Sequence, residues 1–260
     1  MSFGPFRVAW HSIWSLAGMA AGSTLGITLA RRLVRDERIY PFAIAVVVGG
    51  LVSARLAHVA DNLAFYAARP DQVVAFWNGG MAVTGAPIGA AIGGYLVSRR
   101  LGLPTGYVFD VAVIGIVLGE AIGRIGDVIN GEHHALACAG LPWCVRYTHP
   151  ATLGQRELVH PIAAYDLLVD LGIFAVLLVV WRRVRGRPPE GRIFWLYLVL
   201  YGGARALTSV LRLDPVVLAG LQEGQLLGLL YVATGVPVLI WLGRRARLAS
   251  APAGVTTTMV

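Results

Sequence analysis

Seven apolar runs dominate this chain, at about 8–30, 41–60, 80–98, 106–123, 162–181, 193–211 and 225–243. Each is near the ~20 residues that cross the hydrocarbon of a bilayer as a helix. The fold class that follows is all-α: a polytopic membrane protein with seven transmembrane helices. Composition agrees. Hydrophobic residues make up 57% and charged residues 14%, and the mean hydropathy is +0.68, outside the range of an ordinary soluble domain.

Charge orients the bundle. The net charge of +8 comes from 22 basic residues, all of them arginine. Arg31, Arg32, Arg35 and Arg38 follow the first run; Arg99 and Arg100 follow the third. Arg182, Arg183, Arg185, Arg187 and Arg192 follow the fifth, and Arg244, Arg245 and Arg247 the seventh. Fourteen of the 22 therefore fall on one side, and the positive-inside rule puts the N-terminus out and the C-terminus in. A pI near 10.1 suggests nucleic acid, but these clusters flank apolar runs as topology signals do, so no nucleic-acid partner is expected. A cleaved signal peptide is not expected either, because the basic flank follows the first run. Residues 1–243 read as one transmembrane domain and 244–260 as a disordered cytoplasmic tail. The loops 61–79, 124–161 and 212–224 then lie outside, and the longest holds Cys138 and Cys144. A disulfide in that oxidising space and two free thiols both remain open.

Glycine recurs at every fourth position in three runs: Gly18, Gly22, Gly26; Gly85, Gly89, Gly93; and Gly115, Gly119, Gly123. Residues four apart share a helix face, and glycine there lets backbones approach closely. Room for a lipid tail is the functional alternative. Pro87 and Pro161 stand at or inside run starts, where they can bend the chain.

Polar residues beside the apolar runs are few and carry the chemistry. The stretch Gly123-Arg124-Ile125-Gly126-Asp127-Val128-Ile129-Asn130-Gly131-Glu132-His133-His134 follows the fourth run directly. Charge near hydrocarbon costs about 2.5–3.5 kcal/mol per Arg or Asp at a helix centre, so such residues usually line a cavity or a site. Asp110 stands near the start of that run, and Glu120 can pair with Arg124 four residues on. Asp166 and Asp170 form an acidic pair in the fifth run. Tyr201, Arg205 and Ser209 share one face of the sixth, with Arg205 roughly 20 Å up from Arg192 at 1.5 Å per residue. An ion pair of Arg205 with Asp166 or Asp170 is the structural alternative to a ligand contact.

These residues resemble a family, the prolipoprotein diacylglyceryl transferases, whose signature is Gly-Arg-x-Gly-Asn-Phe-Ile-Asn-Gly-Glu. Gly123, Arg124, Gly126, Ile129, Asn130, Gly131 and Glu132 match it. Arg7 through Gly18 resembles the first-span motif, Asn78-Gly79-Gly80-Met81 a His-Gly-Gly-Leu motif, and Asp110 an acid that precedes the signature. His160-Pro161 with Tyr165-Asp166 is similar to His-Pro-Ser-Gln-x-Tyr-Glu, Tyr201-Gly202 with Arg205 to Tyr-Gly-x-x-Arg, and Gly224-Gln225 to the start of the seventh span. There are departures. Asn78 stands for a histidine assigned to thiol deprotonation, Asp127 for an asparagine, His11 for a tyrosine and Ser209 for a glutamate. Ala163 and Ala135 stand for a glutamine and a glycine.

The resemblance implies transfer of a diacylglyceryl group from phosphatidylglycerol to the lipobox cysteine thiol of a lipoprotein precursor, with release of glycerol-1-phosphate at the outer face of the bacterial cytoplasmic (inner) membrane. Phosphatidylglycerol, the precursor and membrane lipid are the implied partners; no cofactor or metal is called for. Arg124 and Arg205 are then phosphate ligands, because the planar guanidinium fork suits phosphate. Glu132 orients an arginine or contacts the glycerol hydroxyls. Asn78, Gly79 and Gly80 form the entrance, and Asp110, Asp127, Asn130 and Tyr201 complete the substrate contacts. Neutral Asn78 cannot take a thiol proton. His133, His134, His160 and His11 all lie toward the outer side and are candidate bases, His133 and His134 first because they follow Glu132. The alternative is a catalytically altered paralogue that binds phospholipid or uses a different acceptor. A transporter is a further class, but no repeated half is visible among the runs.

Overall fold

The computed structural model describes residues 2–3, 6–7, 10–185, 187 and 189–250. Its helices are α1 (Trp10–Ala30), α2 (Ile39–Asp61), α3 (Leu63–Ala68), α4 (Ala86–Arg100), α5 (Thr105–Asn130), α6 (Ile162–Val184), α7 (Arg192–Thr208) and α8 (Glu223–Ser250). Among the described residues the strands form two short ribbons, β1 (Ser2–Phe3) with β2 (Phe6–Arg7) and β3 (Val216–Leu218) with β4 (Leu221–Gln222). The protein is therefore helical, and among the described residues five helices, α1, α2, α6, α7 and α8, are long and apolar enough to cross a membrane.

Three boundaries differ from the sequence expectation. The third run was expected from 80, but the helix begins at Ala86, because Gly79 and Gly80 adopt positive φ and a 3-10 turn, Val83–Gly85, intervenes. The fourth run was expected to end at 123, yet α5 continues to Asn130. Arg124 and Asp127 pair at i,i+3 and support the extra turns. Gly131 (φ 72) then stops the helix, and the N–H groups of Gly131 and Glu132 both donate to the Asp127 carbonyl. At the far end α8 runs past 243 to Ser250, and residues 251–260 of the expected tail lie outside the described residues. Pro87 occupies the first turn of α4 and Pro161 the N-cap of α6, positions where proline removes no helical hydrogen bond.

Contacts group the chain into two compact units, residues 27–112 and residues 1–26 with 113–260. Within the first, α2 and α4 meet along a glycine seam. A Cβ at Gly49 or Gly89 would overlap the carbonyl oxygen of the other, and one at Gly93 would come within 2.6 Å of the Ala45 oxygen. Phe42 and Phe109 meet edge to face at 5.9 Å, and Tyr107 donates to the Leu29 carbonyl at 2.9 Å.

In the second unit, Gly18 and Gly22 of α1 lie against the carbonyls of Gly119 and Gly115 of α5, so the spacing of four does mark close packing. Gly202 and Gly228 form a like seam between α7 and α8. Helix α6 shows how the inner face is chosen. Ile162, Ala163, Asp166, Asp170, Ile173, Leu177 and Trp181 are buried at helical spacing, while Leu168, Leu171, Val176 and Val179 are exposed. Large aliphatic groups look outward, as a lipid solvent allows, and the two carboxylates look inward.

The segment between α5 and α6 is closed by local pairing. Cys138 and Cys144 form a disulfide, which settles the open question of their state. Val145 and Val159 exchange backbone hydrogen bonds, and the Gln155 side chain bridges the N–H and C=O of Ala135 at 2.7 and 3.1 Å. Burial pushes the Tyr147 phenol above its ordinary range.

Candidate functional site

The site in the second unit is a small, half-open cleft between α5, α6 and α7, lined by Arg124, Asp166, Asp170, Tyr201, Arg205 and Thr208, with Val169 and Ala204. Arg124 reaches it from the penultimate turn of α5. Its Nη1 donates to Asp127 Oδ2 at 2.9 Å, and its Nε lies 3.9 Å from Asp170 Oδ2. Arg205 approaches from α7, with Nη1 3.8 Å from Asp166 Oδ2. At that distance it is an ion pair and not a hydrogen bond; Arg212 makes a direct charge-assisted bond to the same Asp166 oxygen. Arg205 Nη1, Arg124 Nε, Asp170 Oδ2 and Thr208 Oγ1 are buried without a hydrogen-bond partner among the described residues. Unsatisfied polar atoms of both signs around one cleft are what a polar ligand would complete.

The remaining groups fix this arrangement. The Tyr201 hydroxyl donates to Glu120 Oε1 at 2.9 Å, so Glu120 serves Tyr201, and the expected Glu120–Arg124 pair along the helix gives way to Arg124–Asp127. Ser209 is fully buried, and a Cβ at Gly224 would come within 2.5 Å of its Oγ and 3.0 Å of Arg205 Nε. Glycine at the start of α8 thus leaves room for the guanidinium. Arg212, 2% exposed, was missed by sequence reading: it stands in a loop, and only the fold carries it to Asp166.

Around the signature, Asn130 Nδ2 donates to Glu132 Oε1 at 3.2 Å and the Asn130 carbonyl accepts from Leu153 N at 2.8 Å. Glu132 is therefore held by an amide, and among the described residues the carboxylate bonded to Arg124 is that of Asp127. A Cβ at Gly131 would come within 2.6 Å of Gly154 Cα, so the signature turn needs glycine for space as well as for its φ.

The four histidines differ in what they face. His133, held at φ 67, places Nε2 3.1 Å from Arg124 Nη1. His134 Nε2 faces the Leu153 carbonyl at 3.1 Å, and His160 Nδ1 faces the Tyr165 hydroxyl at 3.2 Å, which also accepts from Trp143 Nε1 at 2.8 Å. His11 places Nδ1 2.5 Å from Asp127 Oδ1.

The other candidates belong to the unit of residues 27–112. Asp110 is buried there near the start of α5. Asn78, Gly79 and Gly80 form a turn organised by a residue that sequence reading also missed, Arg55. Its guanidinium, 2% exposed, donates to the carbonyls of Val73 (3.0 Å), Gln72 (2.5 Å), Ala75 (3.3 Å), Gly80 (2.7 Å) and Gly79. It lies over the rings of Tyr66 and Phe76, at 5.3 and 5.8 Å from their centroids. Asn78 Nδ2 donates to Gln72 Oε1 at 2.7 Å, and a Cβ at Gly80 would come within 2.6 Å of His58 Nε2. An arginine inside an apolar run is the signal that was available.

Comparison with known proteins bears on both units. Residues 1–241 match the sequence model of the family described as prolipoprotein diacylglyceryl transferase. A phosphatidylglycerol–prolipoprotein diacylglyceryl transferase of Gloeobacter violaceus is 35% identical over 257 residues, covering 97% of this chain and 95% of the relative. Proteins of the same name from Clostridioides difficile (30% identical, 92% of each chain) and Dehalococcoides mccartyi strain BAV1 (32%, covering 95% and 94%) are similar.

Proposed function

The chain belongs to the prolipoprotein diacylglyceryl transferase family, and from that premise we propose how its residues carry the transfer. It is a multi-pass membrane transferase of lipoprotein biosynthesis that uses phosphatidylglycerol. We infer seven crossings, α1, α2 and α4 through α8, with the N-terminus outside and the site facing the outer side of the inner membrane. The arginine clusters support that orientation, and the Cys138–Cys144 disulfide suits an oxidising compartment.

The acceptor is the lipobox cysteine of the precursor. Its sulfur displaces phosphate at an sp3 carbon of the glyceryl backbone, and glycerol phosphate leaves with the C–O electron pair. Phosphate gains negative charge as that bond breaks, so donors aimed at it hold the transition state more tightly than the ground state. The observation that carries the assignment is that Arg124 and Arg205, on different helices, face one cleft with buried donor atoms still unpartnered. Arg212 makes this possible by occupying Asp166, which leaves the Arg205 fork for a ligand. Asp170 Oδ2 and Thr208 Oγ1 offer partners for the glycerol hydroxyls.

The test is purified protein in phosphatidylglycerol vesicles with a lipobox peptide. Glycerol phosphate is released and the peptide gains one diacylglyceryl mass. No release would refute the transferase reading; release without the mass gain would show that the acceptor is not this thiol.

A further inference from the structure

We propose that His11 and Asp127 form the dyad that takes the proton from the acceptor thiol. The proposal rests on the transferase reading above. Asn78 has no proton-accepting group, and its amide is committed to Gln72. The other three outer histidines each engage a ring nitrogen, at hydrogen-bond distance, with a group other than a carboxylate. His133 Nε2 sits against an Arg124 N–H, His134 Nε2 faces the Leu153 carbonyl, and His160 bonds a tyrosine that already receives the Trp143 indole N–H.

His11 differs in geometry. Its Nδ1 donates to the buried Asp127 carboxylate at 2.5 Å, which fixes the tautomer and leaves the Nε2 lone pair outward. The side chain is 50% exposed while that of Asp127 is 4% exposed, so the carboxylate is sheltered and the imidazole reachable. Ser15 Oγ, one turn on, is the one described side chain bonded at Nε2, at a long 3.4 Å. The charged and titratable groups facing His11 are Asp127, Arg124 and Glu132 from α5 and the turn after it, with His133 3.6 Å beyond on Asp127 Oδ2. Gly126 makes the approach possible, since a Cβ there would come within 2.7 Å of His11 Cα.

The step balances. The thiol proton passes to His11 Nε2, and the imidazolium is stabilised by Asp127. The sulfur electron pair forms the new C–S bond, the C–O bond breaks toward phosphate, and the proton leaves with glycerol phosphate or water. His11 is the catalytic base and Asp127 its positioning residue. The other oxygen of Asp127 holds Arg124 at 2.9 Å, so one carboxylate ties the base to the phosphate clamp.

The experiment is a pH–rate profile of the full-length protein with phosphatidylglycerol vesicles and a lipobox peptide, wild type against His11→Gln and Asp127→Asn. A thiol of pKa about 8.5 is only about 3% ionised at pH 7, so complete activation is worth about 30-fold there. His11→Gln is expected to lose about 30-fold in kcat at pH 7, with KM for phosphatidylglycerol unchanged. The deficit should close to within about threefold by pH 9.5, where the thiol ionises unaided. Asp127→Asn should show a smaller pH-dependent deficit that closes over the same range, on top of a pH-independent loss from the weakened Arg124 clamp. A His11→Gln rate equal to wild type, or a deficit constant across pH, overturns the dyad while the transferase reading stands. An inactive wild type overturns both.

Discussion

Arg55 offers the sharpest structural test, because one side chain organises a whole segment without a carboxylate hydrogen-bonded to it among the described residues. Its guanidinium donates to five carbonyls between Gln72 and Gly80 and lies over two aromatic rings. Arg55→Met keeps the length and the apolar stem and removes every donor. Hydrogen bonds to a charged group contribute about 1.5–3 kcal/mol each. Ala75 is the one buried acceptor residue of the five, and water can reach the rest on opening. Counting only two bonds at the low end gives about 3 kcal/mol, an increase of about 10²-fold in the open population of this segment. Cleavage of a transiently opened segment tracks that population when reclosing is fast. Chymotrypsin, which cuts after residues such as Phe76 and Trp77, should nick Arg55→Met between residues 69 and 80 at least about 30-fold faster than wild type. Arg55→Lys should fall between, since lysine has three donors and no planar fork. A methionine variant cleaved within threefold of the wild-type rate would show that the arginine decorates a turn that holds itself.

Three further outcomes follow from the same contacts. If Arg124 holds phosphate through its fork, Arg124→Lys should fail in glycerol phosphate release nearly as badly as Arg124→Ala; full activity of the alanine variant would remove Arg124 from the site. A reporter fused after Arg100 or Arg185 should read cytoplasm and one inserted near Gly140 should read outside, and the opposite pattern would put the cleft on the wrong side for emerging precursors. Gly18→Val drives a side chain into the Gly119 carbonyl and should lower stability by about 1–3 kcal/mol in a thermal unfolding assay. Gly172→Ala, with nothing within 4 Å of the new Cβ, should be neutral or stabilising; equal losses in the two would refute the seam.

What the sequence made legible follows from the solvent. In lipid both faces of a helix are apolar, so hydrophobic periodicity does not separate inside from outside; the rare polar groups do. Asp166, Asp170, Arg124 and Arg205 were readable for that reason, and each lines the cleft. The glycine spacing was readable because close helix contact has few other solutions. The same logic marks Arg55, an arginine well inside an apolar run. Arg212 carried no signal at all, since a loop arginine looks solvated until its partner is known. The His11–Asp127 pair lies between these cases. Each residue was visible alone as a departure from a family pattern, and each looked like a loss. They are 116 positions apart, and nothing local couples them. The glycines of α1 and α5 do, by bringing two backbones close enough for a half-exposed imidazole to reach a buried carboxylate. Read along the chain, a tyrosine and an asparagine have gone missing; read across the seam, an acid and a base have arrived together, which neither substitution would explain alone.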